Sequence, residues 1–263
     1  MLGDCLAEAV PARKVERVMD LSACVADGSA LVLSDDGIAP AIAAPGRPAK
    51  PRLVPPRELP QRGLGSEEGR AALLHAITHI EFNAINLALD AAFRFRDMPP
   101  DFLSDWISVA VDEARHFSLL QARLHELGFA YGDFEAHNGL WEMAERTAGA
   151  CLARMALVPR VLEARGLDVT PGMIARLRQL GDHRSADILE VILAEEVRHV
   201  AIGSQWFAWC CARDGVAPES TFIALISGVA KGSIRGPFNI PARTAAGFAE
   251  SELALITELA SRK

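Results

Sequence analysis

Two short stretches put acids and a histidine where a helix should bury its apolar face. They are "VDEARHFSLL" at 111–120 and "AEEVRHVAIG" at 194–203. In the first, Glu113 and His116 are three residues apart, so on a helix they share a face. Their neighbours on that face, Val109, Ala110, Phe117 and Leu120, are core residue types. The pair is therefore predicted to point inward. A buried carboxylate without compensation is strongly destabilised or takes up a proton. A bound cation removes the difficulty, and at the Glu-x-x-His spacing one helix offers a carboxylate and an imidazole to a metal site.

The second stretch repeats the pattern as Glu196-x-x-His199, flanked by Ile192, Leu193, Val200 and Gly203. The copies match position by position, Asp112 with Glu195 and Arg115 with Arg198. One Glu-x-x-His is weak evidence, because the spacing arises by chance on solvated helices. Two, each embedded in an apolar helix, are strong evidence. A dinuclear site of this kind also needs one carboxylate from each of two further helices. "HAITHIEFNAINLALD" offers Glu81 and "RMALVPRVLEARGLD" offers Glu163. Glu81 lies 32 residues before Glu113 and Glu163 lies 33 before Glu196, as a duplicated helical hairpin would give. Glu142 and Glu145 are rivals in a more polar stretch, and they break the symmetry.

Long segments with apolar residues every three to four positions predict helices over 67–97, 101–127, 139–166 and 184–213. Ser66 marks the first start and Pro99-Pro100 separates the first two. "GFAYGDFEAHNG" reads as a loop, and "GLDVTPGMIARLRQLGDH" as a break with one short helix. The outline is an all-α four-helix bundle over 65–213. Residues 1–64 precede it as a helix over 3–20 and a Pro/Arg-rich extended arm over 28–64, which lies over the surface or over a partner subunit. Residues 214–263 follow as a C-terminal loop and a helix from Thr244 onward.

Composition narrows the setting. Half of the 263 residues are apolar, and 34 acids against 27 Lys and Arg give a formal charge of −7. That balance disfavours a broad nucleic-acid footprint. The five cysteines form no CxxC and read as reduced thiols. "MLGDCLAEAV" has no basic region before an apolar one, so no signal peptide is expected. No apolar run reaches membrane-spanning length. A cytoplasmic protein without membrane contact is expected.

The paired motifs, each preceded by a helix carrying one Glu, resemble the ferritin-like di-iron carboxylate superfamily. Residues 45–250 are similar to an uncharacterised bacterial family of that superfamily, domain of unknown function four-five-five. The similarity is carried by "PGRPAKPRLV", "GRAALLHAITHIEFNAINLALDAAFRF", "DEARHFSLL", "YGDFEAHNGLWE", "RMALVPRVLEARGLDVTP", "EEVRHVAIGSQWF" and "GPFNIPAR". It implies a ferritin-like bundle holding two Fe ions, with a Mn/Fe or other divalent pair as variants. The implied ligands are Glu81, Glu113, His116, Glu163, Glu196 and His199. It also implies that Asp112 and Glu195 orient the opposite helix's ligand histidine, with Arg115 and Arg198 offsetting the acids. A more distant similarity runs to tRNA-modifying di-iron hydroxylases and keeps tRNA open as a partner.

Departures from related patterns are also informative. Tyr131 is the only tyrosine and falls in a loop, so a radical-storing tyrosine beside the metals is not expected. Leu167 stands where bacterial multicomponent monooxygenases carry a threonine; Thr78, one turn before Glu81, is an alternative hydroxyl. His75 and His79 are turned from the Glu81 face and read as surface or packing residues. The four tryptophans read as core. Phe117 and Leu120 are expected to wall a cavity. Gly203, at the position matching Leu120, is expected to leave room beside the second metal.

These features predict a di-iron oxidoreductase that uses O2 or peroxide to oxidise a small or apolar substrate, with an electron-donor protein as partner and a homodimer as one assembly. The alternatives are a ferroxidase or peroxide-scavenging protein, and a structural metal-binding bundle.

Overall fold

The computed structural model describes residues 1–26, 44–229 and 234–261. The regular elements among them are all helical, and their one isolated β pairing is a parallel bridge between Leu53 and Ala136. Residues 28–43 of the arm lie outside the described residues, as do 230–233 and 262–263 of the C-terminal extension. The chain falls into two units, Met1–Glu145 and Arg146–Lys263, each containing one long helical hairpin.

The first unit begins with α1 (Leu2–Ala7) and α2 (Pro11–Ala26). They replace the single helix predicted over 3–20, because Pro11 has no N–H to continue α1 and suits the first position of a new helix. Next come α3 (Glu67–Arg94) and α4 (Pro100–Glu126). Ser66 starts α3 as expected, its Oγ accepting the Gly69 N–H at 3.0 Å. Every residue from Glu81 to Phe93 is buried, which marks a central helix rather than an amphipathic surface one. α4 packs along α3, α2 packs on α4, and α1 on α3.

The described part of the arm lies on this same unit. Gly46 N–H donates to Leu6 O at 2.8 Å, Val54 N–H to Ala136 O at 2.8 Å, and Ala136 N–H to Arg52 O at 3.0 Å. A Cβ at Gly46 would sit 2.1 Å from Ala7 O, so only glycine permits the approach. Arg47 donates to Asn138 Oδ1 at 2.7 Å and Arg62 stacks over Phe134. Two of the arm's arginines are thereby engaged with the protein.

Beyond α5 (Gly139–Arg146), the second unit holds α6 (Cys151–Leu157), a π-helical turn at Val158–Glu163, α7 (Ala164–Gln179) and α8 (His183–Asp214). Two expectations are corrected here. The helix predicted over 139–166 is interrupted between α5 and α6. Conversely, helix continues through "GLDVTPGM", where a break was expected. Pro171 removes the N–H that would bond Leu167 O, and the Asn239 side chain donates to that carbonyl instead, at 3.1 Å. A residue 68 positions away thus makes the proline tolerable. α8 starts on Asp182, whose Oδ1 accepts from Ser185 N at 3.1 Å, and ends at Gly215 with φ 68°.

The tail is also more structured than expected, with α9 (Pro218–Val229), α10 (Ile240–Ala245) and α11 (Glu250–Ser261). Gly247, at φ 84°, splits the helix predicted from Thr244. The buried Arg243 forks onto Asp168 at 2.9 and 2.7 Å, which ties α10 to α7. No helix among the described residues is long and apolar enough to cross a membrane.

Candidate metal centre

In the first unit, α3 contributes Glu81 and α4 contributes Glu113 and His116, all three buried. His116 Nδ1 lies 3.1 Å from Glu81 Oε2 and 3.5 Å from Glu113 Oε2. One donor atom from each residue falls within 4.8 Å of the others. The predicted inward face of "VDEARHFSLL" is therefore realised. Burial by itself would depress the His116 pKa, but the hydrogen bonds and charges of Glu113 and Glu81 outweigh it and push it up to about 11. Without a metal, the imidazolium is the cation that these two carboxylates hold.

In the second unit, α8 contributes Glu196 and His199, with His199 Nδ1 3.5 Å from Glu196 Oε1. That matches the His116–Glu113 separation, so the sequence duplication is also a duplication of geometry. His199 is fully buried and Glu196 nearly so, its side chain 12 % exposed. Glu163 closes the π-helical turn and is half-buried, whereas its rivals Glu142 and Glu145 are exposed. A π turn holds one residue more than the α-helix it interrupts and so re-aims the side chains around it, a device common at functional sites.

The flanking residues divide. Phe117 and Leu120 are buried, and Phe117 packs on Phe82 with ring centroids 5.5 Å apart. Thr78 is buried, but its hydroxyl donates to Leu74 O at 2.8 Å, so that proton is committed within the helix. Asp112 pairs with Arg115 on its own helix at 2.9 Å, while Glu195 is half-buried and Arg198 exposed. Gly203 corrects an expectation. A Cβ there would lie 2.4 Å from both Cβ and Cγ of Pro159, so the missing side chain makes room for the π turn and not for open space.

Sequence reasoning missed a cluster beside this site. His75 and His79 are buried, so the packing reading holds and the surface one does not. The Tyr131 hydroxyl lies 2.8 Å from His79 Nδ1, and His79 Nε2 lies 3.1 Å from His137 O. A carbonyl can only accept, so Nε2 carries the proton and the tyrosine donates to Nδ1; Asn83 Nδ2, 3.0 Å from the same Nε2, then donates to His79 O at 2.8 Å instead. The Tyr131 ring also packs 5.3 Å from Phe117 and 5.7 Å from Phe82. The histidines' i,i+4 spacing was the visible signal; a loop tyrosine reaching them was not.

Two carboxylates and one imidazole converging in a buried site fit a first-row divalent ion such as iron, manganese or zinc. Comparison with known proteins supplies a family and no activity. An "Uncharacterized protein" of Haemophilus influenzae is 48% identical over 219 residues, covering 81% of this chain and 76% of that protein. No solved structure matches the chain. The family described as "Protein of unknown function (DUF455)" matches residues 7–254, with both Glu-x-x-His motifs inside the matched span. The chain belongs to that family.

Proposed function

We propose that this protein is a di-iron oxidoreductase. In this reading Glu81, Glu113, His116, Glu163, Glu196 and His199 are the ligands of its metal pair. The observation that carries it is the repeated buried Glu-x-x-His, with the same 3.5 Å carboxylate–imidazole separation in each copy. A pair of irons, or a Mn/Fe pair, would supply reduction of O2 or peroxide coupled to oxidation of a small or apolar substrate.

The chain's own residues have definable roles. Glu81, Glu113, Glu163 and Glu196 would hold the metal pair as its carboxylate ligands. His116 and His199 would hold it through an imidazole nitrogen, Nδ1 being the one that faces a carboxylate in each copy. His116 must release its proton to do so. Asp112 and Glu195 are positioning residues for the histidines. Phe117, Phe82 and Leu120 exclude water from the α3–α4 side. Electrons come from a partner protein.

The test is metal analysis of anaerobically purified protein, followed by exposure of the ferrous form to O2 and to peroxide. Bound iron with rapid O2 consumption and no mineral is expected. Rapid peroxide turnover without substrate oxidation would shift the reading to a peroxide scavenger. Failure to take up iron on reconstitution would defeat both.

A further inference from the structure

Glu81 and Glu163 hold matching places in the two copies, but the chain presents them differently. Glu81 lies inside the regular helix α3, at the start of a run buried through to Phe93. Glu163 ends the π turn Val158–Glu163, where the Ala164 N–H reaches back five residues to Pro159 O. π turns are rare, so this one calls for support from outside the turn. Two consecutive residues receive it. Pro159 fills the space that a Cβ at Gly203 would take, 2.4 Å away. Arg160 reaches further.

Arg160 is 2 % exposed. Its guanidinium carbon lies 4.2, 4.4 and 4.7 Å from the ring centroids of Phe222, Phe248 and Phe207. The rings form a row, with the Phe222 centroid 5.9 Å from that of Phe207 and 6.0 Å from that of Phe248. They come from α9, from the turn between α10 and α11, and from α8. Arg160 Nη2 donates to Glu252 Oε2 at 2.8 Å, an acceptor 92 residues along the chain on α11. That oxygen also accepts from Ala249 N–H at 2.9 Å, so the start of α11 holds the carboxylate in place. Nε and Nη1 have no oxygen or nitrogen acceptor among the described residues. The ring faces, the negative side of the aromatic quadrupole, take that part of the guanidinium instead. A flat cation stacked on rings and held by one charged hydrogen bond is fixed in direction as well as in place. Its backbone belongs to the π turn, so the turn is fixed with it.

From this geometry we infer that Arg160 is a positioning residue for Glu163. Through its guanidinium, α9 and α11 of the C-terminal extension hold the π turn and so set the direction of the Glu163 carboxylate. That the carboxylate then serves a metal rests on the function proposed above, whereas the clasp itself does not. A purely structural Arg160 would only add stability to the packing of α9 and α11. The two roles differ in what Glu163 does when the clasp is loosened.

The experiment compares the metal-free full-length protein with its Arg160→Met and Glu252→Gln variants by NMR. The readouts are amide exchange over residues 161–164, amide exchange over 186–196 in the first half of α8, and the Glu163 side-chain carboxyl carbon, assigned by its loss in Glu163→Gln. Arg160→Met keeps an apolar stem among the rings and removes the guanidinium. It should speed exchange over 161–164 by about tenfold or more and move the Glu163 signal, while exchange over 186–196 stays within about threefold of the parent. Glu252→Gln leaves the turn's own residues intact and removes the charge at the far end. It should move the same signals in the same direction, with exchange rising about threefold or more, and it carries the comparison alone if Arg160→Met does not fold. The double variant should go no further than Arg160→Met, because both changes open one clasp. Exchange that rises evenly over both segments, in step with a lowered urea midpoint and with the Glu163 signal unmoved, would make Arg160 a stability residue and overturn the inference. Additive effects in the double variant would cut the link between α11 and the turn, and overturn it too. Co(II) titration separates this inference from the metal reading. A parent that binds no Co(II) defeats the metal reading, and the metal-free Glu163 signal still decides the role of Arg160. In a parent that binds it, Arg160→Met should weaken binding about tenfold or more. Unchanged affinity beside a moved Glu163 signal would remove Glu163 from the ligand set and leave the clasp standing.

Discussion

In the proposed metal site, His116 carries the proton that an incoming ion would have to displace. Two buried carboxylates raise its pKa to about 11, so at neutral pH the metal-free site holds an imidazolium. The competition has a defined sign. As pH falls, protons win. As pH rises toward the imidazolium pKa, apparent affinity should increase about tenfold per unit for the one proton released. Co(II) or Fe(II) titrations between pH 6.5 and 8.5 check this, and a pH-independent affinity would show that His116 is not a ligand. His75 and His79 behave oppositely. Burial, the largest cause in each, lowers their pKa values to about 4, below the ordinary 6.5. The unfolded chain therefore binds protons that the native state refuses. Their stabilisation is fully present above pH 6.5 and is lost as pH falls toward 4, by up to about 3 kcal/mol each. Urea midpoints should drop between pH 6.5 and 5, and His75→Gln should flatten that slope relative to the parent.

At the scale of elements, the π turn at Val158–Glu163 and the glycine facing it act as one piece. Gly203→Ala pushes a Cβ into Pro159, and should cost about 1–3 kcal/mol as overpacking. Denaturant unfolding checks this. The double variant with Pro159→Ala should recover part of the loss, giving a coupling that independent sites would not show. Deleting Val161 should convert the turn to regular helix and rotate Glu163 by about 100° relative to the preceding turns. Helical content should survive by circular dichroism, while metal bound per chain falls. Retention of full metal by the deletion variant would remove Glu163 from the ligand set. Pro171 belongs to the same scale. Asn239→Ala strips the donor from Leu167 O and should destabilise α7 by about 1–3 kcal/mol, because the proline leaves that carbonyl no partner of its own.

For the whole molecule, periodicity and caps made the α3–α4 hairpin legible to within a few residues, because apolar spacing, Ser66 and Pro100 are local signals. The inward direction of Glu113 and His116 was legible for the same reason: the helix period places them on the core face. What escaped was tertiary. Pro171 looked like a break because the compensating Asn239 is far along the chain, and α9 lay in a stretch without a distinctive cap. Gly203 was flagged by its mismatch with Leu120, but the occupant of the space, Pro159, could be known only from packing. The contacts of Arg47 and Arg62 in the arm were not legible because their partners, Asn138 and the Phe134 ring, sit more than 70 residues away. The proposed function requires the two Glu-x-x-His copies to serve one pair of irons. Iron quantitation with Mössbauer spectroscopy on the reconstituted full-length protein, alongside Glu113→Ala and Glu196→Ala, tests it most directly. Two exchange-coupled irons per chain are expected, with either substitution disrupting both. Two uncoupled irons, each lost only with the substitution in its own hairpin, would contradict it.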